Sequence, residues 1–292
     1  MSKRQRRWRK MKKKDIAGIE ALLRSHERWC MNACSRYLHR SRERDSVWLL
    51  NNNAGDITAL MVRAKLSLLP VLDNDDDPIP PPYFLHSLLG RSLFGQSLFG
   101  AAPVHSLQGR TQDVVIMEAA MEKLGLYAAE QLDYDLMCID HPPSGFHTPC
   151  AGLTLRKPER ADMDALAALH AAYEQEEVIP SASTFSAAAS RMNIERIFAH
   201  EQLCVAELDG RLIGKINTNA GAFTRCQVGG VYVLPEYRGR GIARRMAGEF
   251  ITGLVAQGKG ISLFVKKTNH AARRVYQRIG FEPLGDYRIH YY

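Results

Sequence analysis

The sequence predicts an α/β (α+β) fold arranged in two domains. Apolar residues recur at helical spacing in several segments, and short strand-like apolar runs stand between them. One of these runs leads through a glycine turn directly into an amphipathic helix, which is typical of a strand and a helix packed on the same sheet. The 292 residues suggest about two domains of ordinary size.

The N-terminal half opens with an expected helix from Asp15 to about Ser41. A strand is expected at Val47–Leu50, and a hairpin or long pair of strands at Ile57–Val71. An acidic, proline-rich loop follows at Asp73–Pro82. No residue in this half identifies a catalytic group.

Later in the same half, we interpret His105–Arg110 as a turn around Gly109 that leads into an apolar-periodic helix from about Thr111 to Leu124. Tyr134–Ile139 is expected to form a further strand. The best linker is His141–Pro149, because it is rich in residues that cannot continue a helix or a central strand. We therefore place the domain boundary close to residue 150.

The most specific local pattern is Val231–Ala243, which predicts a strand, a basic glycine turn and the first turn of a helix. Gly239 and Gly241 allow a tight turn, so that several backbone N–H groups can face one ligand at the positive end of the helix that starts near Ile242. This geometry suits a diphosphate. The segment has neither the Gly-Lys-Ser/Thr of a P-loop nor the third glycine of a dinucleotide fingerprint.

The motif Arg238-x-x-Gly241-x-Ala243 matches the Arg/Gln-x-x-Gly-x-Gly/Ala signature of the GCN5-related N-acetyltransferases, the GNAT family. The second half of the chain resembles this family beyond the loop, and an amphipathic helix is expected from Gly241 to Gln257. The other segments that resemble family elements, in the family's order, are an opening strand and helix at Thr154–Ala172, a hairpin at Leu203–Gly214, a strand at Ile261–Val265 and the last helix at Asn269–Phe281.

The resemblance implies a GNAT fold with a mixed, mostly antiparallel central sheet. The order of elements in the first half echoes the second half, so a degenerate GNAT-like copy in tandem is expected there, with an unrelated α/β domain as the alternative. The expected organisation is a basic arm at 1–14, an N-terminal domain at 15–140, a linker at 141–152 and the GNAT domain at 153–292.

The resemblance also implies a reaction, the transfer of an acetyl group from acetyl-CoA to a primary amine by direct attack, with no metal. Tyr276 takes the position from which a phenol protonates the departing CoA thiolate in the family, although a core aromatic residue explains it as well. The implied cofactor-binding residues are Val231, Tyr232 and Val233 along the pantetheine arm, Arg238, Gly239, Arg240, Gly241, Ile242 and Ala243 around the pyrophosphate, and Asn269 at the cofactor arm.

The sequence leaves the general base and the acceptor open. A free alkyl amine has a pKa of about 10.4 and must lose a proton before it attacks, yet Gln227 stands where some family members carry a glutamate. Glu174, Glu176 and Glu177 could attract a cationic amine, but a solvated helix end is the favoured interpretation. Four residues near the C-terminus suit either a pocket wall or an edge strand: Tyr287, His290, Tyr291 and Tyr292.

The net charge of +8 is concentrated at the N-terminus. Residues 3–14 contain nine lysines and arginines and no acidic residue, so the rest of the chain carries a charge of about −1. This basic arm, which includes Trp8, could contact nucleic acid or an anionic membrane by neutralising phosphates. A solvated extension of the first helix is favoured instead, because a run of charge alone reads no base.

No signal peptide is expected, since no uninterrupted apolar core follows these charges, and Ile57–Leu72 is too short and too charged to span a membrane. Six cysteines without a CxxC pair favour reduced thiols and a cytoplasmic protein. His26, Cys30 and Cys34 recur every four residues as metal ligands can, but core packing is favoured.

Two other classes of function stay open beside an enzyme that acetylates a small-molecule or protein amine. The chain could be a CoA-binding sensor or scaffold that has lost the catalytic step, although Tyr276 argues against this. It could also be an RNA- or ribosome-associated protein that residues 1–14 direct to its target. The sequence does not determine the oligomeric state.

Overall fold

The structure, a computed structural model, describes residues 7–40, 45–64, 66–73, 84–85, 104–147, 149–179 and 184–292. The chain divides into two compact units. The first unit runs to Asp135 and also contains Gly285–Tyr292, and the second unit is Leu136–Leu284. The linker expected at 141–152 therefore falls within the second unit, whereas the last eight residues of the chain belong to the first.

The described residues form twelve strands and seven α-helices of eight residues or more. The strands are β1 (Arg9–Lys10), β2 (Asp45–Asn51), β3 (Ile57–Ala64), β4 (Ser67–Leu72), β5 (Ser106–Arg110), β6 (Glu130–Ile139), β7 (Leu153–Arg156), β8 (Leu203–Leu208), β9 (Arg211–Gly221), β10 (Arg225–Val233), β11 (Gly260–Lys266) and β12 (Glu282–Tyr291). The helices are α1 (Ile16–Ser25), α2 (Met31–Leu38), α3 (Thr111–Glu122), α4 (Met163–Tyr173), α5 (Ala187–His200), α6 (Ile242–Ala256) and α7 (His270–Arg278).

In the first unit, β1, β2, β3 and β4 pair as antiparallel neighbours, β5 runs parallel to β4, and residues 287–291 of β12 pair antiparallel with β5. The strand predicted at 47–50 and the strand pair predicted at 57–71 are confirmed as β2, β3 and β4. The acidic loop predicted at 73–82 lies almost wholly outside the described residues.

The helix predicted from Asp15 to Ser41 is wrong in one respect, because it is two helices with a break at 26–30. The Ser25 hydroxyl donates to the carbonyl of Leu22 at 2.9 Å, and His26 Nδ1 lies 3.1 Å from the same oxygen. Side chains that bind a helix carbonyl compete with the backbone ladder. The first helix therefore ends at Ser25.

The glycine turn predicted at Gly109 is also wrong. Gly109 lies inside β5, pairs with Arg288 and has no positive φ. A Cβ at this position would lie 3.4 Å from the carbonyl oxygen of Pro70, so the neighbouring strand explains the glycine. By order of elements, β5 and α3 correspond to β11 and α7 of the second unit.

Residues 7–14 are folded onto the first unit and are not the solvated extension that the sequence favoured. Trp8 is buried and stacks on Phe84 at a centroid distance of 4.7 Å. β1 pairs with β2, and Arg9 makes a 2.7 Å ion pair with the buried carboxylate of Asp15. Lys10 and residues 12–14 remain exposed. Residues 1–6 lie outside the described residues.

In the second unit, β7, β8, β9 and β10 pair as antiparallel neighbours, and β11 pairs in parallel with β10. Helices cover both faces of this mixed sheet. Adjacent residues of a strand point to opposite faces, so they pack in two different clusters of buried residues. Val205 and Leu212 join α4 and α5, whereas Ala206 and Ile213 join α6. The predicted elements of this half are present, and α5 is one that the sequence analysis did not predict.

Phe146, from the segment predicted as a linker, packs on α6 in the same cluster of buried residues as Ala206 and Ile213. A Cβ added at Gly248 would overlap the Phe146 ring, so Gly248→Ala should lower the free energy of unfolding by about 1–3 kcal/mol. Gly253 lies in the same helix with no heavy atom within 4 Å of an added Cβ. Gly253→Ala should therefore raise the free energy of unfolding by about 0.5–1 kcal/mol. Urea unfolding followed by circular dichroism checks both, and equal effects of the two substitutions would contradict this packing.

Candidate active site

β10 and β11 pair only at their first residues. The parallel register joins residues 225–227 of β10 to 260–262 of β11 and ends there. Arg225 closes this end by donating to the carbonyl of Ile261 at 2.7 Å. Beyond Gln227, β10 continues beside β9 as far as Val233. Beyond Gln227, the edge of β10 that faces β11 is therefore open.

β10 also bulges where it opens. Its register against β9 shifts between Gly229 and Tyr232, and Gly230 has a φ of 61°, in the left-handed region that favours glycine. A Cβ on Gly230 would overlap the side-chain amide of Asn217 on β9. Since a bulge leaves peptide groups outside the regular ladder, these groups need other partners.

A glycine loop follows β10 and ends at α6. Gly239 and Gly241 have φ values of 80° and 77°, and Gly241 is the N-cap of α6 without a side-chain cap. The first N–H groups of a helix have no carbonyl partner within the helix, and the helix dipole makes this end positive. The loop and the start of α6 thus have the backbone geometry of the anion cradle that the sequence predicted, and binding of an anion there stays a prediction.

Both loop arginines are held by protein groups. Arg238 makes two 2.8 Å contacts with the carboxylate of Glu176, and its Nε donates to the carbonyl of Val233 at 2.9 Å. Hydrogen bonding within the pair raises the pKa of Arg238 and lowers the pKa of Glu176. Arg240 donates to the carbonyl of Glu236 at 3.3 Å. The backbone N–H groups are therefore the better placed anion donors of this loop.

One cavity of about 930 Å³ lies against the open edge of β10, the loop and α7. Every site residue predicted from the sequence contributes to its wall, namely Val231, Tyr232, Val233, Arg238, Gly239, Arg240, Gly241, Ile242, Ala243, Asn269 and Tyr276. The wall also contains Glu176 and Glu177, for which the sequence favoured a solvated helix end over a role toward a cationic amine. Lys266 and Thr268 are wall residues that the sequence analysis did not select.

Tyr276 faces this cavity from α7. The helix begins after Asn269, whose side chain accepts a hydrogen bond from the N–H of Ala272 at 3.0 Å. Tyr276 is buried, and burial, with smaller effects of Tyr173 and Glu177, raises the pKa of its phenol. A phenol is protonated at neutral pH with or without this shift, so the hydroxyl carries a proton that it can donate.

The acidic segment 174–178 forms a π turn directly after α4, so it lies at a helix end as the sequence favoured, with Glu176 exposed and Glu174 and Glu177 half-buried. Glu174 is turned toward α5, since Asn193 donates to it at 2.8 Å. Burial opposes its ionisation, but hydrogen bonds, the first from His170, lower the pKa of Glu174 to about 2. Glu177 lines the cavity instead, and it accepts a 3.0 Å hydrogen bond from the side chain of Asn269. Burial raises the pKa of Glu177.

Sequence reasoning missed Lys215, which is completely buried on β9. Its Nζ donates to the carbonyl of Gly230 at 3.0 Å and to Asn217 Oδ1 at 3.2 Å. Burial lowers the pKa of this lysine to about 7. Its sequence signal was a lysine between the apolar run Leu212–Gly214 and Ile216.

The four C-terminal candidates do not line this cavity, because they belong to the first unit. Tyr287 donates to Gln108 at 3.0 Å, and His290 is fully buried. The interpretation as an edge strand is also wrong, since β12 has β5 and β6 as neighbours in the strand order. Gln227 is buried at the last position of β10 that pairs with β11, and it lies outside the cavity wall.

Metal ligands and membrane spans were searched over the part of the chain that the structure describes. In that part, no group of three or more His, Cys, Asp or Glu side chains is arranged to hold a metal ion. Cys30 Sγ lies 3.5 Å from Cys34 Sγ, whereas His26 Nε2 faces Asp73 at 4.0 Å. None of the described helices combines the length and the apolar character needed to cross a membrane.

Comparisons with known proteins agree with this geometry. The model of the acetyltransferase (GNAT) family matches residues 166–281. An acetyltransferase from Pectobacterium atrosepticum is 31% identical over 98 residues, which are 32% of this chain and 67% of that protein. A solved Drosophila protein has a TM-score of 0.65 at 13% identity, and a tandem GNAT protein from the clavulanic acid biosynthesis pathway has a TM-score of 0.56 at 12% identity. Each match covers 98% of both chains.

The fold and the cavity thus define an acyltransferase with a mixed sheet that opens beside a glycine loop. The chain belongs to the GNAT acetyltransferase family. The GNAT fold predicted from the sequence is confirmed, and the match to the tandem protein extends the fold over both halves of the chain. Proteins of this family generally take their acyl group from an acyl-CoA.

The glycine loop offers a matched pair of substitutions. Gly239 and Gly258, which lies just after the end of α6, both have positive φ values, and an added Cβ would meet no protein atom within 4 Å at either. Gly239→Ala and Gly258→Ala should each lower the free energy of unfolding by about 1–2 kcal/mol. Only Gly239→Ala should weaken acetyl-CoA binding, by about tenfold or more, because its Cβ enters the cradle.

Calorimetric titration with acetyl-CoA measures this difference, with NAD and ATP as control ligands. Equal acetyl-CoA affinity of the two variants would contradict the assignment of the loop as the site of the diphosphate. Equal affinity of the unaltered protein for all three ligands would do the same.

Proposed function

We propose that this protein is an N-acetyltransferase that moves an acetyl group from acetyl-CoA to a primary amine by direct attack. The observation that carries the proposal is the meeting of the open β10 edge, the glycine cradle and the buried phenol of Tyr276 at one cavity. An extended thioester with a diphosphate at one end fits these three features, with the thioester near Tyr276, the arm along β10 and the diphosphate at the cradle. The acceptor is a small-molecule or protein amine.

The donor side rests mainly on backbone groups. The free edge of Val231–Val233 can pair with the amides of a pantetheine arm as an added strand does. The N–H groups of Gly239–Ala243 then face the diphosphate, and Asn269 lies beside the arm. The fit is supported by the positive φ values of Gly239 and Gly241, since both glycines keep side chains out of the cradle.

The acetyl transfer requires two proton movements at opposite ends of the reacting group. A neutral amine forms the new C–N bond at the thioester carbonyl, the C–S bond breaks, and the sulfur leaves as a thiolate. Tyr276 donates its phenolic proton to that thiolate, because its side chain faces the cavity and a phenol is protonated at neutral pH. Backbone N–H groups of the β10 bulge stabilise the negative oxygen that develops on the carbonyl.

Glu177 receives the proton of the acceptor amine. It is the half-buried carboxylate of the cavity wall, and its charge acts on both Tyr276 and Tyr173. A carboxylate with a raised pKa is a better base at neutral pH than an ordinary glutamate. The same charge attracts a cationic amine, whereas Glu176 is engaged by Arg238.

Tyr276→Phe should reduce kcat by about 100-fold or more, with acetyl-CoA affinity changed less than about threefold, because only the proton donor is removed. The measurement is release of free CoA thiol with a panel of primary amines, beside calorimetric binding of acetyl-CoA. Tyr127→Phe, at a highly exposed tyrosine of the first unit, is the control and should behave like the unaltered protein. Undiminished turnover in Tyr276→Phe would remove its role as acid, and acetyl-CoA binding without turnover of any amine would favour a sensor.

Glu177→Gln should reduce kcat/KM by about 100-fold at neutral pH and remove the acidic limb of its pH profile. In the unaltered protein, activity should fall as the pH drops through the raised pKa of Glu177, because the protonated carboxyl cannot accept a proton. Glutamine keeps an oxygen that accepts from Asn269, so the wall should persist. Glu282→Gln, at an exposed residue, is the control. An acidic limb that survives in Glu177→Gln would contradict this role.

A further inference from the structure

Lys215 is a buried amino group that the reaction described above does not use. It lies on β9, opposite Tyr232 of β10, and none of its surface is exposed. Its Nζ lies 4.4 Å from the ring centroid of Tyr173 and donates to Gly230 and Asn217. Removing an ammonium group from water is costly, and a packed apolar residue would avoid that cost. The position of this lysine therefore calls for a cause beyond packing.

The contacts of Lys215 converge on the bulge of β10. Gly230 accepts from Lys215 through its carbonyl, and its N–H donates to the Tyr173 hydroxyl. A Cβ on Gly230 would lie 2.8 Å from Lys215 Nζ, so glycine is required for the lysine to approach this closely. Side chains from β9 and from α4 thus hold the two successive peptide groups of Gly230 at the place where β10 leaves its partner.

The peptide bond between Gly230 and Val231 transmits this contact toward the cavity. No described peptide bond is cis, so the carbonyl of Gly230 and the N–H of Val231 point in opposite directions. Since the carbonyl points at Lys215, the N–H points away from it. Val231 lies in the cavity wall, on the edge of β10 that the ladder with β11 leaves open.

We propose that Lys215 is a positioning residue that orients and polarises the Gly230–Val231 peptide, so that the Val231 N–H is the donor that stabilises the developing oxyanion. This inference rests on the proposed acetyl transfer and adds the residue that acts behind the backbone donor. A hydrogen-bond donor on the carbonyl end of a peptide increases the positive charge on its N–H end, and the effect is larger when the donor is charged. A donor fixed before the reaction also needs no reorganisation when charge develops.

The test is Lys215→Met, which keeps an unbranched chain and removes the ammonium group. The expected result is a loss in kcat of about 10- to 100-fold, less than the roughly 100- to 1,000-fold cost of deleting an oxyanion donor. Acetyl-CoA affinity and the KM of the amine should change less than about threefold, because the cradle and Glu177 are untouched. Lys157→Met, at an exposed lysine of the same unit, is the matched control for the loss of one charge.

The outcomes separate this inference from the proposed function. If the unaltered protein acetylates no amine, the proposed function fails before Lys215 is tested. If the unaltered protein is active and Lys215→Met keeps its kcat, or loses kcat and acetyl-CoA affinity in equal measure, the positioning role is overturned. If Lys215→Met does not fold, Tyr173→Phe replaces it, since it removes the other side-chain contact with Gly230, and it should show a smaller loss confined to kcat.

Discussion

The separation of β10 from β11 is the constraint on which the chemistry of the second unit depends. Two parallel strands that stop pairing after three residues expose backbone groups that a continuous sheet would satisfy. Such an edge is costly unless water or a ligand pairs with it. The bulge at Gly230 and the glycine loop after Val233 both occur on the diverging strand, so the donor groups follow from this one departure from regular pairing.

Charge in the cavity is divided between its walls. The loop and α7 contribute arginines together with the positive end of α6, while the π turn contributes Glu176 and Glu177. Glu176 neutralises Arg238, which leaves Glu177 as the carboxylate that faces Asn269 and acts on Tyr276. A wall with an anion-binding end and an acidic end suits a reaction that joins a phosphate-bearing donor to an amine.

Short-range signals were sufficient for most of the second unit. The motif from Arg238 to Ala243 and the cap at Asn269 depend on neighbouring residues only, and the structure places both as predicted. Gly109 was misinterpreted because the reason for a glycine there is Pro70 on another strand. α5 escaped prediction because it buries few apolar side chains, and Lys215 escaped because its partners on β10 and α4 are brought to it only by the fold. The division of the chain into two units was least predictable, because its boundaries fall inside strands and no local pattern marks these points.

That division limits how the gene can be taken apart. A fragment encoding residues 153–292 would contain the whole cavity wall, yet it would lack Leu136–Asp140 of its own unit. It would also end in residues 287–291, whose strand partners at 106–110 are encoded in the other half. An unpaired strand end of this kind is a template for aggregation. The two halves therefore have to be inherited together, and recombination that replaced one half would have to bring complementary strand ends with it.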